Sequence, residues 1–145
     1  MPRFCFYAAA ALLAVPFCLA QTFPAGEEQA KVRTLFIIGD ESAKGGTNQG
    51  WGDHLGTYFV PELVRISNRA LPGASAESFV AGAAWKAILA ELQEGDFVFI
   101  QFGRHEASSA NSSASLEKLI EQTKAAKATP VLLTPTVTNI WKAES

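Results

Sequence analysis

The sequence predicts an α/β domain built on a parallel sheet, and three observations carry that prediction. Residues 35–38 (LFII), 97–100 (FVFI) and 131–134 (VLLT) are short, nearly continuous apolar runs rich in β-formers, as expected of strands covered on both faces. Between them lie stretches whose apolar residues recur at helical spacing. Gly39, Pro61, Gly95, Gly103 and Pro130 punctuate the junctions. Strand and helix in alternation is the pattern of a sheet sandwiched between helical layers.

The elements follow in order. Residues 1–20 read as a secretory leader: Met1-Pro2-Arg3 gives a positive start, residues 4–17 are almost wholly apolar, and Cys18-Leu19-Ala20 ends on small residues, with Gln21 as the new N-terminus. A membrane anchor is the alternative, but the apolar run falls short of the ~20 residues a spanning helix needs. Cys18 is not read as a lipid attachment site, because Phe17 is too large for the residue that precedes one. Residues 21–32, with Pro24, Gly26 and Glu27-Glu28-Gln29, form a linker. The domain occupies 33–145. Its first strand spans 34–38. A short helix-like segment runs from Trp51 to Phe59, and a second, more exposed strand covers 63–68. Leu71 to Ser75 is a turn. Trp85, Ile88, Leu89 and Leu92 make one apolar stripe on a helix over 83–92. A third strand follows at 97–100, then a Ser/Ala/Asn-rich loop at 107–113, an amphipathic helix over 116–127 and a fourth strand at 131–134.

Composition excludes several classes. Lys and Arg number 12 against 14 Asp and Glu, and they are scattered singly, so no basic patch points to nucleic acid. No apolar stretch after the leader is long enough for a membrane span. Both cysteines, Cys5 and Cys18, lie in the leader, so the mature chain has neither a disulfide nor a cysteine nucleophile or metal ligand.

Five segments in order carry a resemblance: FIIGDESAKGG (36–46), GWGDHLGTYF (50–59), NRALPGASAESF (68–79), GDFVFIQFGRHE (95–106) and TPVLLTP (129–135). Together they resemble the SGNH (GDSL-type) hydrolases, and among them the rhamnogalacturonan acetylesterase-like branch. The resemblance implies a three-layer α/β/α, flavodoxin-like fold with a parallel sheet, here lacking the family's C-terminal strand and helix. It implies an exported carbohydrate O-acetylesterase lineage acting on plant cell-wall polysaccharide, with an acetylated sugar as partner and no cofactor. An edge strand left uncovered would expose backbone and apolar surface and could support a dimer.

In that family a serine attacks the ester. Its backbone N–H, a glycine N–H and an asparagine side chain form the oxyanion hole, and an Asp-x-x-His supplies the base. Residue by residue, the serine position falls on Glu41, the glycine on Gly73 and the asparagine on His105. No Asp-x-x-His occurs in 1–145. A carboxylate is a weak acyl-transfer nucleophile and repels an oxyanion, so impaired or absent activity is expected. The alternatives are a non-catalytic pseudoenzyme or carbohydrate-binding remnant, and a metal-dependent hydrolase.

Several candidate residues follow. Ser42 could act one place late, with His105 as base and Asp40 or Glu106 orienting it; otherwise Ser42 is an ordinary loop residue. Asp40, Glu41, His54, His105 and Glu106 have metal-ligand side chains, but their spacing fits no metal motif, and no metal is predicted. Asp40 and Glu41 could act as an acid/base pair, although Asp40 is better read as holding the loop through backbone N–H groups. Arg104 could pair with Glu41 or meet an acidic sugar; the internal pair removes two unpaired charges from a cleft. Trp51 could stack on a sugar, or like Trp85 serve as a core anchor.

Overall fold

The computed structural model describes residues 31–45, 50–105 and 111–136. Four strands pair in parallel: β1 (Arg33–Gly39), β2 (Val64–Asn68), β3 (Phe97–Gln101) and β4 (Thr129–Leu132). Their spatial order is β2-β1-β3-β4. The register sets Phe36 beside Ser67 and Val98, and Gly39 beside Gln101. All four strands therefore run the same way, and their C-terminal loops gather at one end of the sheet, where such sheets place their sites.

Strand alternation divides the apolar runs between two faces. On one face Phe36, Ile38, Val98 and Ile100 pack under three helices, α2 (Ala76–Ala81), α3 (Ala83–Glu91) and α4 (Ser112–Ala125), which add Phe79, Trp85, Ile88 and Leu119. Trp85 and Phe79 meet with ring centroids 6.4 Å apart, and the Trp85 indole N–H donates to Gln122 Oε1 at 2.6 Å. On the other face a short helix, α1 (Trp51–His54), and a 3-10 turn over Leu55–Tyr58 cover Leu35, Ile37, Ala43 and Ala70. Helices thus flank the sheet on both sides, in the three-layer arrangement expected. Near β3 and β4 the second face stays open among the described residues, as a groove of about 370 Å³ lined by Leu35, Phe59, Val64, Phe97, Phe99 and Val131.

The observed elements depart most from expectation at three places. β4 begins at Thr129 and contains Pro130, whereas the sequence pattern starts the strand after the proline. The N–H groups of Thr129 and Leu133 donate inward to the Asp96 and Ile100 carbonyls at 2.8 and 2.9 Å. Position 130 therefore faces away from β3, on the side of β4 where no strand pairs among the described residues, so its missing N–H breaks no ladder bond there. α4 begins at Ser112 rather than Leu116, because its first turn is polar and carries no apolar period. α2 was not expected at all. It has six residues, too few for a periodicity, and its only sequence mark is the Ser75 cap, whose hydroxyl accepts from the Ser78 N–H at 3.2 Å while Ser78 Oγ accepts from the Ser75 N–H at 3.0 Å.

Among the described residues no helix is long and apolar enough to cross a membrane. The expected leader at 1–20, most of the expected linker (21–30) and residues 137–145 lie outside the described residues.

Candidate active site

Three loops meet at the C-terminal end of the sheet, following β1, β2 and β3. The first is held tightly from its start. A Cβ at position 39 would stand 2.4 Å from the Gln101 carbonyl oxygen, so only glycine lets β1 run this close to β3 at its last residue. Asp40 follows and is 2% exposed. Its carboxylate accepts the Ser42 N–H at 2.8 Å and, across the cleft, the Arg104 N–H at 3.4 Å. Asp40 thus ties the loop after β1 to the loop after β3.

The second loop is fixed by Asn68 and Gly73. The Asn68 amide donates to the Ala43 carbonyl at 3.0 Å and to Asp53 Oδ1 at 2.7 Å, and its oxygen accepts the Ala70 N–H at 3.2 Å. Asp53 also accepts the Gly50 N–H at 3.0 Å, which closes the start of α1. Leu71 N–H continues the sheet pattern by donating to the Gly39 carbonyl at 2.9 Å. The chain then turns through Gly73 with φ +78, a left-handed conformation that a side chain disfavours, and this turn aims the Gly73 N–H into the cleft.

What it points at is Glu41. The Gly73 N–H donates to Glu41 Oε2 at 3.0 Å. His105 Nε2 lies 2.9 Å from the same oxygen, and Arg104 Nε is 3.1 Å from Oε1. The glutamate's own backbone N–H also favours the ionised carboxylate. Burial by itself disfavours the ionised carboxylate, but the hydrogen bonds from His105, from its own N–H and from Gly73, with the charge of His105, outweigh it and lower the Glu41 pKa from 4.5 to about 2. Because the folded-state pKa lies below the unfolded one, the cluster adds stability above pH 4.5, and that contribution fades as the pH falls through 2. With Glu41 30% exposed, solvent screening leaves about 1–2 kcal/mol of it. Glu41→Gln is expected to lose that amount at pH 7 and to match the unsubstituted chain near pH 2, as read from urea unfolding at a series of pH values. Equal stability at pH 7 would show that the cluster contributes nothing.

Other sequence candidates lie elsewhere. The Ser42 hydroxyl pairs with Thr136 Oγ1 at 3.0 Å, and among the described residues it makes no hydrogen bond to His105, which is turned to Glu41. The Trp51 indole N–H donates to Gln101 Oε1 at 2.5 Å, and Gln101 Nε2 in turn donates to the Thr134 carbonyl at 3.0 Å, so Trp51 is pinned half-buried against the sheet end. His54 is exposed on α1. No group of three or more His, Cys, Asp or Glu residues is placed to hold a metal among the described residues, and Glu106 lies outside them. Sequence reasoning passed over Asn68, Asp53, Gln101 and Thr136. Asn68, Asp53 and Gln101 lie inside segments that carry the resemblance, and that is the signal that could have found them.

Similarity to known proteins bears on the fold and the lineage. No protein-family profile matches the chain. It is 35% identical over 83 residues to a rhamnogalacturonan acetylesterase of Emericella nidulans, covering 57% of this chain and 32% of that protein. It is 36% identical over 78 residues to a Bacillus subtilis protein named "Probable rhamnogalacturonan acetylesterase YesY", covering 51% of this chain and 36% of that one. The chain thus spans about a third of the length of the curated relatives it matches. Among solved structures, the YxiM protein of Bacillus subtilis superposes with a TM-score of 0.66 at 26% identity, over 73% of this chain and 33% of that one. A member of the lipolytic G-D-S-L family from Veillonella parvula gives a TM-score of 0.54 at 18% identity, over 70% and 57%, and so speaks for the fold alone. The parallel sheet with its flanking helices has the fold of the SGNH (GDSL-type) hydrolase structures. In sequence the chain resembles the rhamnogalacturonan acetylesterases.

Proposed function

We propose that this chain is an exported homologue of the carbohydrate O-acetylesterases in which hydrolysis of acetyl esters on plant cell-wall polysaccharide is impaired, because Glu41 fills the place where the ester would react. The supporting observation is the convergence of Gly73 N–H, His105 Nε2 and Arg104 Nε on the Glu41 carboxylate. By resemblance, the Glu41 N–H, Gly73 and His105 stand at the three oxyanion-hole positions. Donors of that kind accelerate acyl transfer only if they are vacant when the tetrahedral oxyanion forms. Here they already hold a full negative charge, which excludes a second one by sterics and by repulsion. Losing a single such donor lowers turnover by about 10²–10³, and here all are engaged at once. The nucleophile's place is taken by the same residue, so the serine route loses its oxygen and its electrostatic stabilisation together. The leader at 1–20 is the basis for export, and the acetylated polysaccharide is the partner that the relatives' names suggest.

The test is turnover of p-nitrophenyl acetate and of acetylated rhamnogalacturonan by the full chain, beside Ser42→Ala and His105→Ala. The expected result is a rate within about tenfold of buffer, far below the ~10⁶-fold and greater accelerations of working enzymes, and unchanged in both variants. Rapid turnover abolished by Ser42→Ala would overturn the reading and put the late serine in the nucleophile's role.

A further inference from the structure

We propose that Gly73, Arg104 and His105 form a binding site for a small carboxylate, and that Glu41 is its tethered occupant, which a soluble carboxylate displaces by exchange. The cradle's fit to a carboxylate is visible in its present contents. One oxygen takes the Gly73 N–H at 3.0 Å and His105 Nε2 at 2.9 Å, and the other takes Arg104 Nε at 3.1 Å. Two cleft-facing side-chain donors and a backbone N–H, divided between the two oxygens, match the acceptor capacity of a carboxylate.

The backbone of the cradle is held at Gly73 and Arg104 by contacts that do not involve Glu41. Gly73 is set by its left-handed turn and by the Ala74 N–H bond to the Leu71 carbonyl at 3.1 Å. The backbone of Arg104 is held by the buried Asp40 carboxylate, which accepts its N–H at 3.4 Å. These supports come from loops after β1 and β2 and remain when residue 41 is shortened. The site is also reachable: the side chains of Glu41, Arg104 and His105 are 30%, 42% and 40% exposed. Glutamate reaches the cradle through three rotatable bonds, so it can leave by rotamer change with the backbone in place. A tethered group competes at an effective concentration in the millimolar range or above, so in the unsubstituted chain a soluble carboxylate binds weakly, and removing the tether reveals the site.

Free acetate and the carboxylate of an acidic sugar present the same group to this cradle. The inference rests on the cleft described under the proposed function, but it is read by binding and needs no turnover. If the proposed loss of hydrolysis fails, that appears as turnover in the acetate-ester assay. If this inference fails, that appears as absence of binding whatever the turnover.

The experiment is an NMR titration of the full chain and of Glu41→Ala at pH 7, following the Gly73 amide and the His105 ring. The probes are sodium acetate and sodium galacturonate, with sodium chloride holding ionic strength constant. The expected result is saturable binding to Glu41→Ala at least about tenfold tighter than to the unsubstituted chain, the gain reflecting the lost competitor. Adding Arg104→Ala to Glu41→Ala is expected to remove at least that gain. Whichever probe binds Glu41→Ala more tightly identifies the source the site prefers. Should Glu41→Ala fail to fold, Glu41→Gln keeps the side-chain shape without the charge and is expected to be displaced more readily than glutamate. No saturable shift in either folded variant, or binding equal to that of the unsubstituted chain, would overturn the proposal.

Discussion

Trp85→Ala is expected to leave the domain unfolded or close to it under ordinary conditions. Trp85 is 1% exposed on α3, wedged between the sheet, Phe79 and α4, and its indole N–H holds Gln122 at 2.6 Å. Truncating a buried tryptophan removes its transfer energy and leaves a cavity, together about 3–5 kcal/mol. The lost hydrogen bond adds about 1 kcal/mol. A domain's whole stability is about 5–15 kcal/mol, so this single change consumes a large share of it. Denaturant unfolding measures the loss. Trp51→Ala is the internal contrast, since Trp51 is only half-buried and caps the thinner layer beneath α1. A Trp85→Ala protein no less stable than Trp51→Ala would show that the helical layer over Phe36 and Ile100 is not the main core.

Gly39→Ala is expected to damage both the fold and the site. The new methyl would stand 2.4 Å from the Gln101 carbonyl oxygen and 3.3 Å from its carbon, and both belong to backbone that cannot rotate away. β1 and β3 would have to part at their C-terminal ends. Overpacking of this kind costs about 1–3 kcal/mol, and a clash with a sheet backbone belongs at the upper end. The displacement reaches the chemistry because Asp40, the next residue, couples Ser42 to Arg104. Shifted Gly73 and His105 resonances are therefore expected together with the lower unfolding midpoint. A variant within about 0.5 kcal/mol of the parent, the ordinary range for a surface change, would mean that the close approach of the strands is not required.

Much of this architecture was legible in the residues. LFII is apolar at every position because β1 is a central strand covered on both faces, whereas FVFI buries Val98 and Ile100 on one face and lines the open groove with Phe97 and Phe99 on the other. The α3 stripe gave its helix through Trp85 and Ile88, the two residues it buries most deeply. What escaped was short or polar. α2 has too few residues for a period, and the strand across Pro130 is legible only once that residue is known to face an edge. At the site, the sequence gathered Asp40, Glu41, Gly73, Arg104 and His105 into three strand-end loops, and it left open whether His105 would meet Glu41 or Ser42. That choice depends on side-chain direction. Asp40 draws the Ser42 N–H back onto itself, the Ser42 hydroxyl goes to Thr136, and Glu41 is left facing the cleft.

Read alone, the residues predict a parallel α/β sheet of the SGNH type, and the resemblance they carry implies that a glutamate stands where that family's serine attacks. Apolar runs and residue identity are local properties, so a linear reading reaches them. Where that glutamate's carboxylate lies is set by contacts between segments far apart in the chain. Its donors come from residues 73, 104 and 105, which converge because β1 is hydrogen-bonded between β2 and β3. Hydrogen bonds act over about 3 Å, and no spacing along the chain states which of these groups will come within that distance.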